Sequence, residues 1–126
     1  MKQKYAIGVD IGGSHITCAA VNLGTGEIIR NSLTERRVNN QAQAFEIISI
    51  WSESVSEVIK RIGFDDLLGI GFAMPGPFDY VNGVSYIKGV SKYENLYGFN
   101  IGDAIISSIE APDHFGVRFI NDATAF

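Results

Sequence analysis

Residues 8–17 read GVDIGGSHIT, an aspartate and two glycines set between two runs of strand-forming residues. Whether the glycine pair cradles a phosphate or simply turns a hairpin depends on what flanks it. From Tyr5 to Asp10 the chain alternates Tyr5, Ile7 and Val9 with Ala6, Gly8 and Asp10, the period-two pattern of a strand that ends at Asp10. The following SHITCAAVNL is rich in β-branched and small apolar residues and predicts a second strand. Gly24-Thr25-Gly26 then signals a turn, and EIIRNSL, residues 27–33, predicts a third strand. An antiparallel three-strand meander therefore opens the chain. The two commonest phosphate loops need a helix directly after their glycines, because the helix N-terminus supplies donors and a positive dipole. Here a strand follows, and both the third glycine of a dinucleotide fingerprint and the Gly-Lys-Ser/Thr of a P-loop are missing. Two readings stay open. Gly12-Gly13 is either a tight turn, or a strand-Gly-Gly-strand hairpin whose bare backbone admits a phosphate to its N–H groups. In the second case Ser14 adds a hydroxyl and Asp10 can hold a metal directly or through water.

Downstream, the period changes. In residues 39–63 Phe45, Ile48, Trp51, Val55, Val58 and Ile62 recur at steps of three and four, predicting a helix with one apolar stripe, capped by Asn39 or Asn40 and ended by Gly63. LLGIGFA, residues 67–73, is a nearly continuous apolar run, as expected of a strand covered on both faces. Asn82-Gly83 lies between apolar and aromatic residues and predicts a small hairpin. GVSKYENLYGF, residues 89–99, reads as irregular. Asn100 with Asp103 three positions on marks a helix start, with Ile101, Ala104, Ile105, Ser108 and Ile109 on its period and Pro112 as its stop. GVRFI, residues 116–120, predicts a last strand, and NDATAF opens a further helix with Asn121 or Asp122 at its N-cap. The order is that of an α/β fold, a mixed sheet with a leading antiparallel meander and flanking helices. A domain rarely stops one turn into a capped helix, so residues 1–126 are expected to be the N-terminal domain of a longer protein.

Composition restricts the partners. A chain of 126 residues with 46% hydrophobic and 19% charged residues is expected to fold as one soluble globular domain. Its net charge of −4 and the lack of any basic run argue against nucleic-acid binding. The single cysteine, Cys18, excludes an intrachain disulfide. With no signal-like or membrane-length apolar segment, a cytoplasmic location is expected.

Asp10, the Pro75-Gly76-Pro77 loop and Asp122 each follow a predicted strand. In α/β sheets ligands gather at the carboxyl ends of strands, so the three would face one cleft if their strands are parallel neighbours. Taken singly, Asp122 is equally a helix cap and Pro75 to Pro77 a rigid turn. GVDIGGSHIT, GIGFAMPGPFDYVNGV and FINDATAF, in this order and spacing, resemble the N-terminal domain of the ROK family, the sugar kinases and sugar-responsive repressors of the actin-like (ribonuclease H-like) ATPase superfamily. The resemblance implies a glucokinase-like, ATP-dependent hexose or N-acetylhexosamine kinase. By that resemblance Asp10, Gly12, Gly13 and Ser14 cradle the phosphates of ATP and its magnesium, with Asp10 nearest the metal. Gly76 and Pro77 lie against the sugar, Asn121 bonds sugar hydroxyls, and Asp122 is both sugar contact and catalytic base. It also implies a second domain beyond these residues, without which the piece is expected to be inactive, and allows a homodimer of the longer protein. His15 receives no role, and His114 reads as a solvated loop residue. The rival expectation is a sugar-sensing transcriptional repressor of the same family without kinase activity. Such repressors usually carry a DNA-binding helix-turn-helix ahead of the phosphate motif, and only nine residues precede Asp10 here.

Overall fold

The computed structural model describes residues 3–122. Strands β1 (Tyr5–Ile11) and β2 (His15–Asn22) form the predicted hairpin around Gly12-Gly13, in the register Asp10↔Thr17 and Ile11↔Ile16. The third strand lies further along than the sequence suggests. Within 27–33 only Ile28 bridges to Val21, and Arg30–Ser32 coil into a 3-10 turn. The cause is Ser32, which is fully buried: its hydroxyl donates to Ile29 O at 2.6 Å and accepts from Ala20 N at 2.8 Å, taking over a donor that strand pairing would otherwise use. Pairing with β2 resumes at β3 (Thr34–Arg37), so the antiparallel meander stands with its third strand displaced.

Helix α1 (Ala44–Ile62) ends at Gly63 as expected, but neither asparagine caps it. Asn39 Oδ1 accepts from Gln41 N, while the Asn40 carboxamide is drawn away to Gly13. Gln43 occupies the N-cap position without a side-chain bond. The buried stripe is Ile47, Ile48, Trp51, Val55, Val58 and Ile59. Phe45 is not in it; at 72% exposed it lies on the first turn, lining a shallow groove with Ile48, Phe99 and Ala104.

Strand β4 (Leu67–Met74) lies between β1 and β7 (Gly116–Asn121), parallel to both, in a sheet ordered β3-β2-β1-β4-β7. A two-stranded ribbon, β5 (Phe78–Asp79) and β6 (Val84–Ser85), holds Asn82-Gly83 in its turn, with Gly83 at φ 75°. Helix α2 (Ile101–Ile109) starts as read from the sequence: Asn100 Oδ1 accepts from Asp103 N at 2.9 Å, and Ile101, Ile105 and Ile109 are buried. The helices cover the sheet face that carries Ile7, Val9, Ile11, Phe72, Met74 and Phe119. On the opposite face Gly8, Asp10, Thr17, Gly71, Ala73 and Ile120 line an open apolar depression, so β4 is covered on one face and not on both. Cys18 is buried, and desolvation pushes its thiol up to about 12, which leaves it unreactive at neutral pH. The helix expected to begin at Asn121 or Asp122 lies, beyond its first residues, outside the described residues; Asn121 itself ends β7.

Candidate functional site

Parallel pairing in the centre of the sheet brings the sequence candidates to one end. Asp10 is in register with Ala73, and Met74 with Asn121, so the carboxyl ends of β1, β4 and β7 lie side by side. The Gly12-Gly13 turn follows the first, the Pro75-Gly76-Pro77 loop the second and Asp122 the third. Asp10, paired with Thr17 across the hairpin, is exposed on the uncovered sheet face.

The strand end that leads into the Pro-Gly-Pro loop is joined to Asn121 through a residue the sequence did not single out, Tyr80. Asn121 Nδ2 donates to the Tyr80 hydroxyl at 2.9 Å, and that hydroxyl donates to Met74 O at 3.0 Å. Gly76 fits beneath this bridge: a Cβ there would lie 3.2 Å from the Tyr80 oxygen and 3.8 Å from Asn121 Nδ2. Pro77 follows a cis Gly76–Pro77 bond, and its carbonyl accepts from Tyr86 N at 3.1 Å. Asn121 and Asp122 are both half-buried. His114 is exposed in its loop, as expected.

The glycine turn is held from behind. Gly12 N donates to His15 O at 2.9 Å, closing the hairpin. The Gly12 carbonyl accepts from the hydroxyl of Tyr93 at 2.5 Å, and the Gly13 carbonyl accepts from Asn40 Nδ2 at 2.5 Å. In a trans peptide the C=O and the next N–H point in opposite directions. With the two carbonyls drawn toward Tyr93 and Asn40, the N–H groups of Gly13 and Ser14 are turned away from these partners, which is the arrangement an anion-binding concavity needs. Tyr93 is fully buried, with its ring 5.5 Å from that of Trp51, and its own N–H donates to Asn40 O. Ser91 and Tyr93 both adopt left-handed backbone, at φ 60° and 58°. For non-glycine residues this costs on the order of 1 kcal/mol each and persists only where the surroundings impose it. Between them, Lys92 lays its side chain over Gly13: a Cβ on Gly13 would lie 3.8 Å from Lys92 Cδ and 3.9 Å from its Nζ. Ser14 Oγ, the last member of the turn, lies 3.0 Å from His15 Nδ1.

Tyr93→Phe removes the hydroxyl and leaves the Gly12 carbonyl without it. The expected result is a loss of about 1 kcal/mol in urea unfolding, with the fold retained because the ring still packs on Trp51. An unchanged unfolding midpoint would show that this bond does not hold the turn.

Among the described residues no group of three or more His, Cys, Asp or Glu side chains could hold a metal ion. Asp10, two residues ahead of Gly12, suits magnesium, which keeps most of its waters and takes one or two carboxylates together with phosphate oxygens. No helix among the described residues is long and apolar enough to cross a membrane.

No family model matches the sequence, and no curated protein does. Solved structures do match. The chain superposes on a ROK family glucokinase from Streptomyces griseus, in complex with glucose and AMPPNP, with a TM-score of 0.72 at 22% identity, over 96% of this chain and 34% of that one. On the ROK hexokinase from Thermus thermophilus the TM-score is 0.70 at 22% identity, over 96% and 36%. On a ROK family transcriptional regulator, a homolog of E. coli MLC, it is 0.67 at 17% identity, over 98% and 28%. The chain thus has the fold of the N-terminal part of these proteins, as its motifs implied, and spans about a third of their length.

Proposed function

We propose that residues 1–126 are the N-terminal domain of an ATP-dependent sugar kinase of the ROK family, which phosphorylates a hydroxyl of a hexose or N-acetylhexosamine. The observation that carries this reading is the convergence, at the carboxyl ends of three adjacent parallel strands, of a glycine turn whose carbonyls are held from behind, a Gly76 loop beneath the Tyr80 bridge from Met74 to Asn121, and the carboxylate of Asp122.

In this reading the N–H groups of Gly13 and Ser14 and the Ser14 hydroxyl bind phosphate oxygens, and Asp10 holds magnesium, directly or through water. When bound, ATP supplies the phosphoryl group and magnesium offsets its charge. The loop at Gly76 and Pro77 lies against the sugar, and Asn121, oriented by Tyr80, bonds its hydroxyls. Asp122 accepts the proton of the attacking hydroxyl as its oxygen bonds to phosphorus and the phosphorus–oxygen bond to ADP breaks. A carboxylate in hydrogen-bond reach suits this step, since an alcohol is a poor nucleophile until its proton has somewhere to go. Charge on the transferred group is met by fixed donors of the turn and not by mobile water.

The alternative, a sugar-sensing regulator without kinase activity, shares the fold. Asp10, Gly12, Gly13 and Asp122 together favour the kinase, because a sugar sensor needs neither a phosphate turn nor a base. A hexose panel assayed for ADP release by the full-length protein decides between them: sugar binding without turnover for any member would support the regulator. For the 126-residue chain alone, the expected result is no hexose-dependent ADP release, since an actin-like kinase closes its nucleotide between two domains. Turnover by that chain would refute its assignment as one part of a two-domain enzyme.

A further inference from the structure

We propose that Lys92 is the cation of the phosphate site, its ammonium donating to a terminal phosphate oxygen of the nucleotide held at the Gly12-Gly13 turn. The inference rests on the function proposed above and adds a residue that no motif of the phosphate turn contains. Three features carry it. The first is position: the Lys92 side chain lies over Gly13, so its ammonium is on the turn whose Gly13 and Ser14 N–H groups face outward. The second is the absence of another task. Among the described residues no carboxylate forms an ion pair with Lys92, whereas Arg36 is paired with Glu53 and Glu57, and Arg61 with Glu57. The ammonium on the turn thus meets no counter-ion among the described residues until an anion arrives there.

The third is the way the backbone is fixed on both sides. Ser91 and Tyr93 hold left-handed conformations, and the segment is tied to the elements around the turn at three points. Gln41 Nε2 donates to Ser91 O, Tyr93 N donates to Asn40 O at 2.9 Å, and the Tyr93 hydroxyl donates to Gly12 O. A surface lysine needs no such framework. Here it aims one side chain at one glycine. Lysine acts on phosphate as a point charge, with three donors that follow the group as it moves, and so suits the terminal phosphate, the one that is transferred.

The test compares Lys92→Met and Lys92→Arg with the wild type in the full-length protein. Steady-state kinetics give kcat/KM for ATP, and calorimetry gives the affinities for ATP and for AMP. A charge-assisted bond to the terminal phosphate predicts that Lys92→Met lowers kcat/KM for ATP by about ten- to a hundredfold. It also predicts that AMP affinity changes less than threefold, because AMP lacks that phosphate, and that Lys92→Arg restores a large part of the loss. Thermal unfolding shows whether Lys92→Met is folded; if it is not, Lys92→Gln, which keeps a shorter apolar stem, takes its place in the same measurements. ATP and AMP weakened equally, or ATP kinetics within twofold of the wild type, would overturn the assignment. If the wild type phosphorylates no hexose, the proposed function fails; the ratio of ATP to AMP affinity, read by calorimetry in both variants, still decides the role of Lys92.

Discussion

Asp122→Asn in the full-length protein is expected to lower kcat for hexose phosphorylation by about 10²- to 10⁴-fold, with the KM for sugar changed only a few-fold. The carboxamide has the same shape as the carboxylate and still bonds a hydroxyl, but it cannot take the proton. Binding is therefore kept while the step that depends on proton acceptance is lost. Asn121→Ala makes the contrast, because Asn121 is assigned to orienting the sugar and bonds to Tyr80. There the larger change is expected in KM. Steady-state kinetics over sugar concentration, with ADP release as the readout, separate the two. Undiminished turnover by Asp122→Asn would remove Asp122 as the base and require the kinase to find its proton acceptor elsewhere.

The elements that local chemistry determines were legible from the sequence. The Asn100 cap, the ending of α1 at Gly63 and the Asn82-Gly83 turn follow from residue type and spacing, and the structure has them; the strand ends read at Asp10, Ala73 and Ile120 each lie one residue further on, at Ile11, Met74 and Asn121. What was not legible depends on contacts between distant residues. EIIRNSL has the composition of a strand, yet one buried serine bonding across to Ala20 turns it into a 3-10 segment. Phe45 fits the helical period, but the period says nothing about where the sheet beneath the helix ends. Asn40 reads as a cap because asparagines usually serve that way ahead of a helix; its partner is Gly13, 27 residues earlier. Tyr93 and Lys92 were the hardest to see. They lie in an irregular stretch without period, and Tyr93 reaches Gly12 across 81 residues. The phosphate turn could be located from its own sequence, whereas the residues that hold its carbonyls could be found only once the fold had closed.

Gly69→Ala is expected to destabilise the domain by about 2–4 kcal/mol, seen as a loss on the order of 10 °C in thermal unfolding. Gly69 is the first residue of the β4–β7 ladder, opposite Gly116, and the two strands approach so closely that a Cβ on Gly69 would lie 2.2 Å from Gly116 O and 2.9 Å from Gly116 C. Those are backbone atoms, so no rotamer change can make room; β7 must shift away from β4 or the pair must open. Gly71, two residues on in the same strand, is the control, because a Cβ there meets nothing within 4 Å. Gly71→Ala should change stability by less than about 1 kcal/mol. The effect reaches the site because the register that begins at Gly69↔Gly116 ends at Met74↔Asn121. If β7 moves, Asn121 is displaced from Tyr80 and from the Gly76 loop, and Asp122 moves with it. A folded Gly69→Ala protein is therefore expected to lose sugar affinity as well as stability, although it alters no residue that touches the sugar. Equal unfolding midpoints for Gly69→Ala and the wild type would show that β4 and β7 do not pack this closely, and with that the alignment of the three strand ends would lose its basis.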